Sequence, residues 1–201
     1  MNAANRKNLR IVGFMLALFC ALTFGVARFY MSEGLTWTSA RIVNTVFYVL
    51  MAGLSLLMMR LSDYRFKDFG VFFFSLWWQL LVGFGIAAAF TVIGMLATGG
   101  YVIPTDWGYL VPSQILTGIA EELFWRGLLL KLMGELLHSK RKAVPLNALL
   151  YGLWTWPLTH SWVTVILSAF IGLAFATVRV EYDEEMGIPG LAFAHILMNV
   201  F

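Results

Sequence analysis

The sequence predicts an all-α membrane protein, a polytopic bundle of about seven transmembrane helices forming one integral membrane domain over residues 1–201. Three observations carry this. Hydrophobic residues make up 60% of the chain and charged residues 12%, with a mean hydropathy of +0.79, more apolar surface than a water-soluble core could absorb. Apolar runs of about 20 residues, the length that crosses a bilayer, recur between short polar loops. The basic residues are also asymmetric. Of 14 Lys and Arg, eleven (Arg6, Lys7, Arg10, Arg60, Arg65, Lys67, Lys131, Lys140, Arg141, Lys142, Arg179) fall on the side of the N-terminus. Two, Arg28 and Arg41, fall opposite, and Arg126 lies within a span. That bias predicts a cytoplasmic N-terminus and an outside C-terminus, in a prokaryotic cell membrane.

The elements follow in order. The run Ile11–Tyr30 behind Arg6, Lys7 and Arg10 is too long for a signal peptide and reads as a retained first span. Trp37 follows as an interface anchor, and Ile42–Met59 is the second span. After the polar loop Arg60–Asp68, an aromatic third span covers Gly70–Leu96, with Gly83 and Gly85 marking a point of tilt or break. Thr98–Trp107 has turn residues and no Lys or Arg, an outer loop. The fourth span is Leu110–Leu130, the fifth runs from Ala143 to about Leu158, the sixth is Trp162–Val178, and the seventh starts near Gly187 and reaches Phe201. Glu181–Glu185 and His138 read as solvated loop residues, and Cys20 as a packed or lipid-facing one. A single cysteine excludes an internal disulfide, and the modest charge of +3 points to anionic lipid rather than nucleic acid as partner.

The chemistry concentrates in the fourth span, where Glu121, Glu122 and Arg126 interrupt an apolar run. A charge near the bilayer centre costs about 2.5–3.5 kcal/mol, so such groups persist chiefly where they pair, face a polar cavity or react. Four residues apart on a helix, Glu122 and Arg126 share a face and can pair. Glu121 lies about 100° round the helix without that partner, a desolvated carboxylate suited to act as a general base. In the seventh span His195 and Asn199 share a face, able to bind a nucleophilic water or an oxyanion, or simply to join helices. No His-Glu-x-x-His helix is present, and Arg126 beside the glutamates would repel a dication, so neither metal nor cofactor is expected.

Glu-Glu-x-x-x-Arg-Gly (Glu121, Glu122, Arg126, Gly127) followed by His-x-x-x-Asn (His195, Asn199) resembles the CPBP family, the CAAX-type prenyl proteases and bacteriocin-processing enzymes regarded as glutamic intramembrane endopeptidases. The likeness covers 111–201 and leaves the N-terminal spans of 1–110 outside it. It implies that Glu121 activates water, that Glu122 and Arg126 support it, and that His195 with Asn199 stabilises the oxyanion. A third family motif, an aromatic residue with histidine four positions on, is altered. Tyr151 aligns with Thr155, whereas Trp156 to His160 keeps the spacing with the histidine displaced toward the interface. Thr155 fits the depth of the site and His160 its chemistry, with a re-entrant bend after Pro157 as the route inward.

The expected function is therefore an intramembrane peptidase that hydrolyses a membrane-anchored or exported protein, such as a bacteriocin leader or C-terminal sorting tail, at a site opening outward. The alternatives are a non-catalytic binding relative of the same fold and a proton- or ion-coupled transporter.

Overall fold

The computed structural model describes residues 3–32, 36–98 and 107–200, so residues 99–106 of the expected outer loop, and Phe201, lie outside it. Among the described residues the chain forms seven helices and no strand. They are α1 (Ala3–Tyr30), α2 (Trp37–Leu61), α3 (Leu76–Thr98), α4, α5 (Lys140–Thr159), α6 (Trp162–Glu181) and α7 (Ile188–Val200). Helix α4 has three consecutive parts, an α segment Trp107–Glu122, a π segment Leu123–Leu129 and an α segment Leu130–Leu136. A 3₁₀ turn, Phe66–Phe69, precedes α3.

The protein is an integral membrane bundle. Four stretches, Ala4–Tyr30, Trp37–Leu61, Leu76–Leu96 and Trp162–Glu181, are long and apolar enough to cross a bilayer on length and composition alone. The other three helices depart from that standard for visible reasons. Helix α4 carries the buried charges, α5 begins with Lys140, Arg141 and Lys142 and contains two prolines, and α7 has 13 residues.

Hydroxyl side chains set three helix starts, the first at Thr36, which accepts from the backbone N–H of Ser39 to start α2. Ser139 accepts from the backbone N–H of Lys142 to start α5, and Ser161 accepts from Thr164 to start α6. Helix α7 is capped from another helix. Gln79 of α3, fully buried, accepts the N–H groups of Gly187 and Gly190 at 3.2 and 3.3 Å and donates to the Phe74 carbonyl at 2.9 Å. Every polar atom of the amide is used, so the register of α7 against α3 is pinned by hydrogen bonds.

The third span differs from its prediction. The helix starts at Leu76, six residues later than expected, because residues 70–75 form an irregular strip whose Gly70 carbonyl accepts the N–H of Ile188. Gly83 and Gly85 do not break it. At Gly83 a Cβ would lie 2.5 Å from the Gly190 carbonyl, so this glycine allows α3 and α7 to approach closely, while Gly85 faces open space.

The sequence placed the basic segments on one side of the membrane, and at one end of the bundle they meet. Lys7 pairs with Asp63 at 2.7 Å, Lys140 with Asp183, and Arg141 with Glu181 at 3.1 Å, while Lys131 lies over the Tyr64 ring. Toward the opposite end the core is aromatic. Phe19, Phe47, Phe124, Trp125, Tyr151 and Trp154 interlock from four helices, and the Trp154 indole donates to Thr23 Oγ1 at 2.7 Å.

Replacing Gln79 with leucine leaves two N–H groups and a carbonyl without their partner, at about 1–3 kcal/mol each where burial is complete. Q79L is expected to lower the unfolding midpoint of the purified protein in detergent, whereas Gly85→Ala, facing open space, leaves it close to wild type.

Candidate active site

The π segment follows directly on the two glutamates. One extra residue per turn shifts the hydrogen bonding from i+4 to i+5, so that Leu130 N–H bonds Trp125 O. The same carbonyl accepts the amide of the buried Asn147 on α5 at 2.9 Å. Gly127, inside the segment, is packed under Met59 of α2, whose terminal methyl lies 2.7 Å from where a Cβ would be. A side chain there would require the Met59 methyl to move aside.

Glu121 is buried midway along α4, 14 residues from its first residue and 15 from its last, or about 20 Å from either end. Both of its oxygens receive hydrogen bonds. Tyr48 of α2 donates to Oε1 at 3.1 Å and Tyr151 of α5 donates to Oε2 at 3.0 Å. Two phenolic donors offset part of the cost of taking the carboxylate out of water.

Glu122 has no solvent exposure and takes a different set of partners. Arg126 Nη1 is 3.3 Å from Oε1, forming the predicted i, i+4 ion pair, and His195 Nδ1 is 2.8 Å from the same oxygen. The Arg126 guanidinium lies flat over the Tyr151 ring, 4.2 Å from its centroid, and beside Phe175 at 5.5 Å. Gly172 makes room for it, since a Cβ there would lie 3.4 Å from Nη2 and 2.9 Å from the Tyr151 ring.

His195 joins the two carboxylates. The short contact between Nδ1 and a carboxylate oxygen fits an Nδ1–H that donates to Glu122. The ring then turns Nε2 toward Glu121 Oε2 at 3.7 Å, longer than a direct hydrogen bond. Phe175 meets the imidazole edge-on.

The structure thus gathers Glu121, Glu122, Arg126 and His195, and places the other predicted residues elsewhere. Asn199 is exposed, one turn beyond His195, and makes no side-chain hydrogen bond among the described residues. The partner that orients His195 is Glu122. His160 is exposed at the C-terminus of α5, in left-handed conformation with φ 49°, its ring against Trp156. Helix α5 continues through Pro157 to Thr159, so no re-entrant bend carries His160 inward. Thr155 bonds the Gly152 carbonyl of its own helix.

Tyr48, Asn147, Gly172 and Phe175 belong to the site and were not singled out in the sequence; Tyr151 was marked only as the start of a motif. Tyr48 stands in a plain apolar span, with no local sign of a partner 73 residues away.

Residues 103–201 match the family model described as type II CAAX prenyl endopeptidase Rce1-like. Over these residues, just under half of the chain, it is similar to the CAAX protease family. The matched region contains Glu121, Glu122, Arg126, Tyr151, His195 and Asn199, while Tyr48 lies outside it. No curated protein and no solved structure gives a significant match. The family so described is one of membrane proteases, hydrolases that act on protein or peptide substrates.

Removing one partner of a buried ion pair costs about 3–5 kcal/mol, because the other charge remains in an apolar site. Arg126→Met is therefore expected to destabilise the protein strongly in detergent unfolding, and Glu122→Gln in the same chain to restore part of the loss. Equal unfolding midpoints for wild type and R126M would contradict the pairing.

Proposed function

We propose that the protein is a glutamic-type intramembrane endopeptidase in which Glu121 activates water without a metal. The observation that carries this is the unequal treatment of two adjacent carboxylates. Glu122 is fully buried and held by arginine and histidine, whereas Glu121 has no cationic partner fixed on its own helix and faces an imidazole nitrogen across 3.7 Å.

The chemistry follows from that arrangement. A water reaching both Glu121 Oε2 and His195 Nε2 gives one hydrogen to each and turns a lone pair toward a substrate carbonyl. As the oxygen attacks carbon, Glu121 takes the proton and the carbonyl electrons move onto oxygen. When the C–N bond breaks, the same proton passes to the leaving nitrogen. Glu122 holds the Nδ1 side of His195, leaving Nε2 to face the water, and Arg126 holds Glu122. Tyr48 and Tyr151 hold the Glu121 carboxylate in one orientation, and each is free to turn its O–H toward the developing oxyanion once Glu121 is protonated. Asn199, exposed one turn further along α7, is placed to meet the substrate chain.

The substrate class is a membrane-anchored or exported protein cut close to its membrane segment, since Glu121 lies about 20 Å from either end of α4. The charged end of the bundle, with Lys7, Lys131, Lys140 and Arg141, is the cytoplasmic end under the positive-inside rule. A second reading, a non-catalytic relative, draws on the positions of Thr155 and His160, neither of which touches the glutamates.

Comparing membrane-protein termini in cells carrying wild type or variants separates the two readings. Glu121→Gln is expected to abolish cleavage of a substrate by at least about 100-fold, and His195→Ala to reduce it comparably. His160→Ala should stay within about twofold of wild type, as expected for a group outside the site. Unchanged termini on loss of Glu121 would leave only the non-catalytic reading standing.

A further inference from the structure

The charged end of the bundle contains a cavity that hydrolysis does not require. Arg126 and Lys131 of α4, Lys140 of α5 and Arg179 of α6 line it, together with Asp68 and Asp183. Its volume is about 40 Å³, room for about three waters, or for one phosphate-sized group. It opens into a wider cleft of about 500 Å³ that Phe72 and Phe74 border and where Lys67 is set against Glu184 and Glu185.

Arg179 is the decisive side chain. It is 7% exposed, in the last turn of α6. Its Nη1 donates to the Asp183 carbonyl at 3.1 Å and its Nε has no hydrogen-bond partner, while the Asp183 carboxylate lies near enough to attract it but is bonded to Lys140. The neighbouring charges are already committed. Asp183 is held by Lys140, Lys131 is held by Glu135 at 2.6 Å, and Asp68 accepts the backbone N–H of Arg65 at 2.8 Å.

The guanidinium is also fixed in place. It lies across Gly70, where φ is +86° and a Cβ would fall 2.4 Å from Nε, so the chain provides both the turn and the space for it. Arginine is rarely buried to this extent with one of its nitrogens left without a hydrogen bond. Behind it Arg126 contributes a second guanidinium with three nitrogens that make no hydrogen bond, its only close carboxylate lying on the Glu122 side.

We propose that this cavity binds the phosphate of an anionic phospholipid headgroup. Planar guanidinium groups recognise phosphate oxygens, and basic pockets between membrane helices suit anionic headgroups. The last turn of α6 and the first of α5 lie at the end of the bundle where headgroups are found. The aromatic strip at the mouth continues into Phe73 and Trp77, exposed at 68% and 86%, a surface for the adjoining acyl chains.

The test uses full-length protein in neutral detergent, supplemented with phosphatidylglycerol, phosphatidylcholine or inorganic phosphate, with the unfolding midpoint and retained lipid in native mass spectra as readouts. Phosphatidylglycerol is expected to raise the midpoint and remain bound one per chain, phosphatidylcholine to do neither. Arg179→Gln should remove at least half of the shift. If that variant does not fold, Lys140→Gln, exposed at 58% of its side chain, should reduce the shift instead. Inorganic phosphate giving the full shift would assign the site to free phosphate and overturn the lipid. Equal shifts with both lipids, or a shift unchanged in the variants, would overturn the site itself.

Discussion

Two adjacent carboxylates held out of water in the middle of a membrane helix are the constraint that organises this protein. Neither can be satisfied by α4 alone. Arg126 answers Glu122 from the same helix, but the remaining donors come from three others: Tyr48 from α2, Tyr151 from α5 and His195 from α7. Each helix that supplies a donor must approach α4 at a defined height and rotation. In a bilayer, where apolar contact alone offers little net drive for association, this polar cluster and the close packing around it specify the arrangement.

The small residues make that approach possible. Gly118 lets α4 reach α7, where a Cβ would lie 2.7 Å from the Ile196 side chain. Gly152 lets α5 reach α6 against the Val165 carbonyl, and Gly172 leaves room for Arg126 over Tyr151. The π segment completes the design. Its altered winding begins where the glutamates end, so the residues after Glu122 are rotated relative to an uninterrupted α-helix. Asn147 then ties the Trp125 carbonyl to α5. The hydrogen-bonded cap that Gln79 gives α7 belongs to the same logic, since α7 carries His195.

Fold class and the centre of the site were legible because they depend on local patterns. Apolar runs announced the spans, and i, i+4 spacing announced the Glu122–Arg126 pair and the separate face of Glu121. Contacts between distant segments were not legible. Tyr48 resembles any interfacial or packed tyrosine until α2 is docked on α4. The histidine spacing drew attention to His160, yet that residue caps α5 in the left-handed region and faces Trp156. Asn199 shares a helical face with His195 by spacing, but the oxygen that orients the imidazole belongs to Glu122. Gly83 and Gly85 looked alike as breaks, and only the packed helix shows one to be a contact and the other idle.

The separation of the site's partners along the chain also bears on how the protein enters the membrane. Tyr48 precedes Glu121 by 73 residues, and His195 follows Glu122 by 73. While the chain is being made, α4 is complete before α5 and α7 are. At that moment the phenol of α2 and the guanidinium one turn away are the available neighbours for the two carboxylates. Of the contacts Glu122 makes in the finished fold, the one to Arg126 is local to α4, and the one to His195 waits for the last helix.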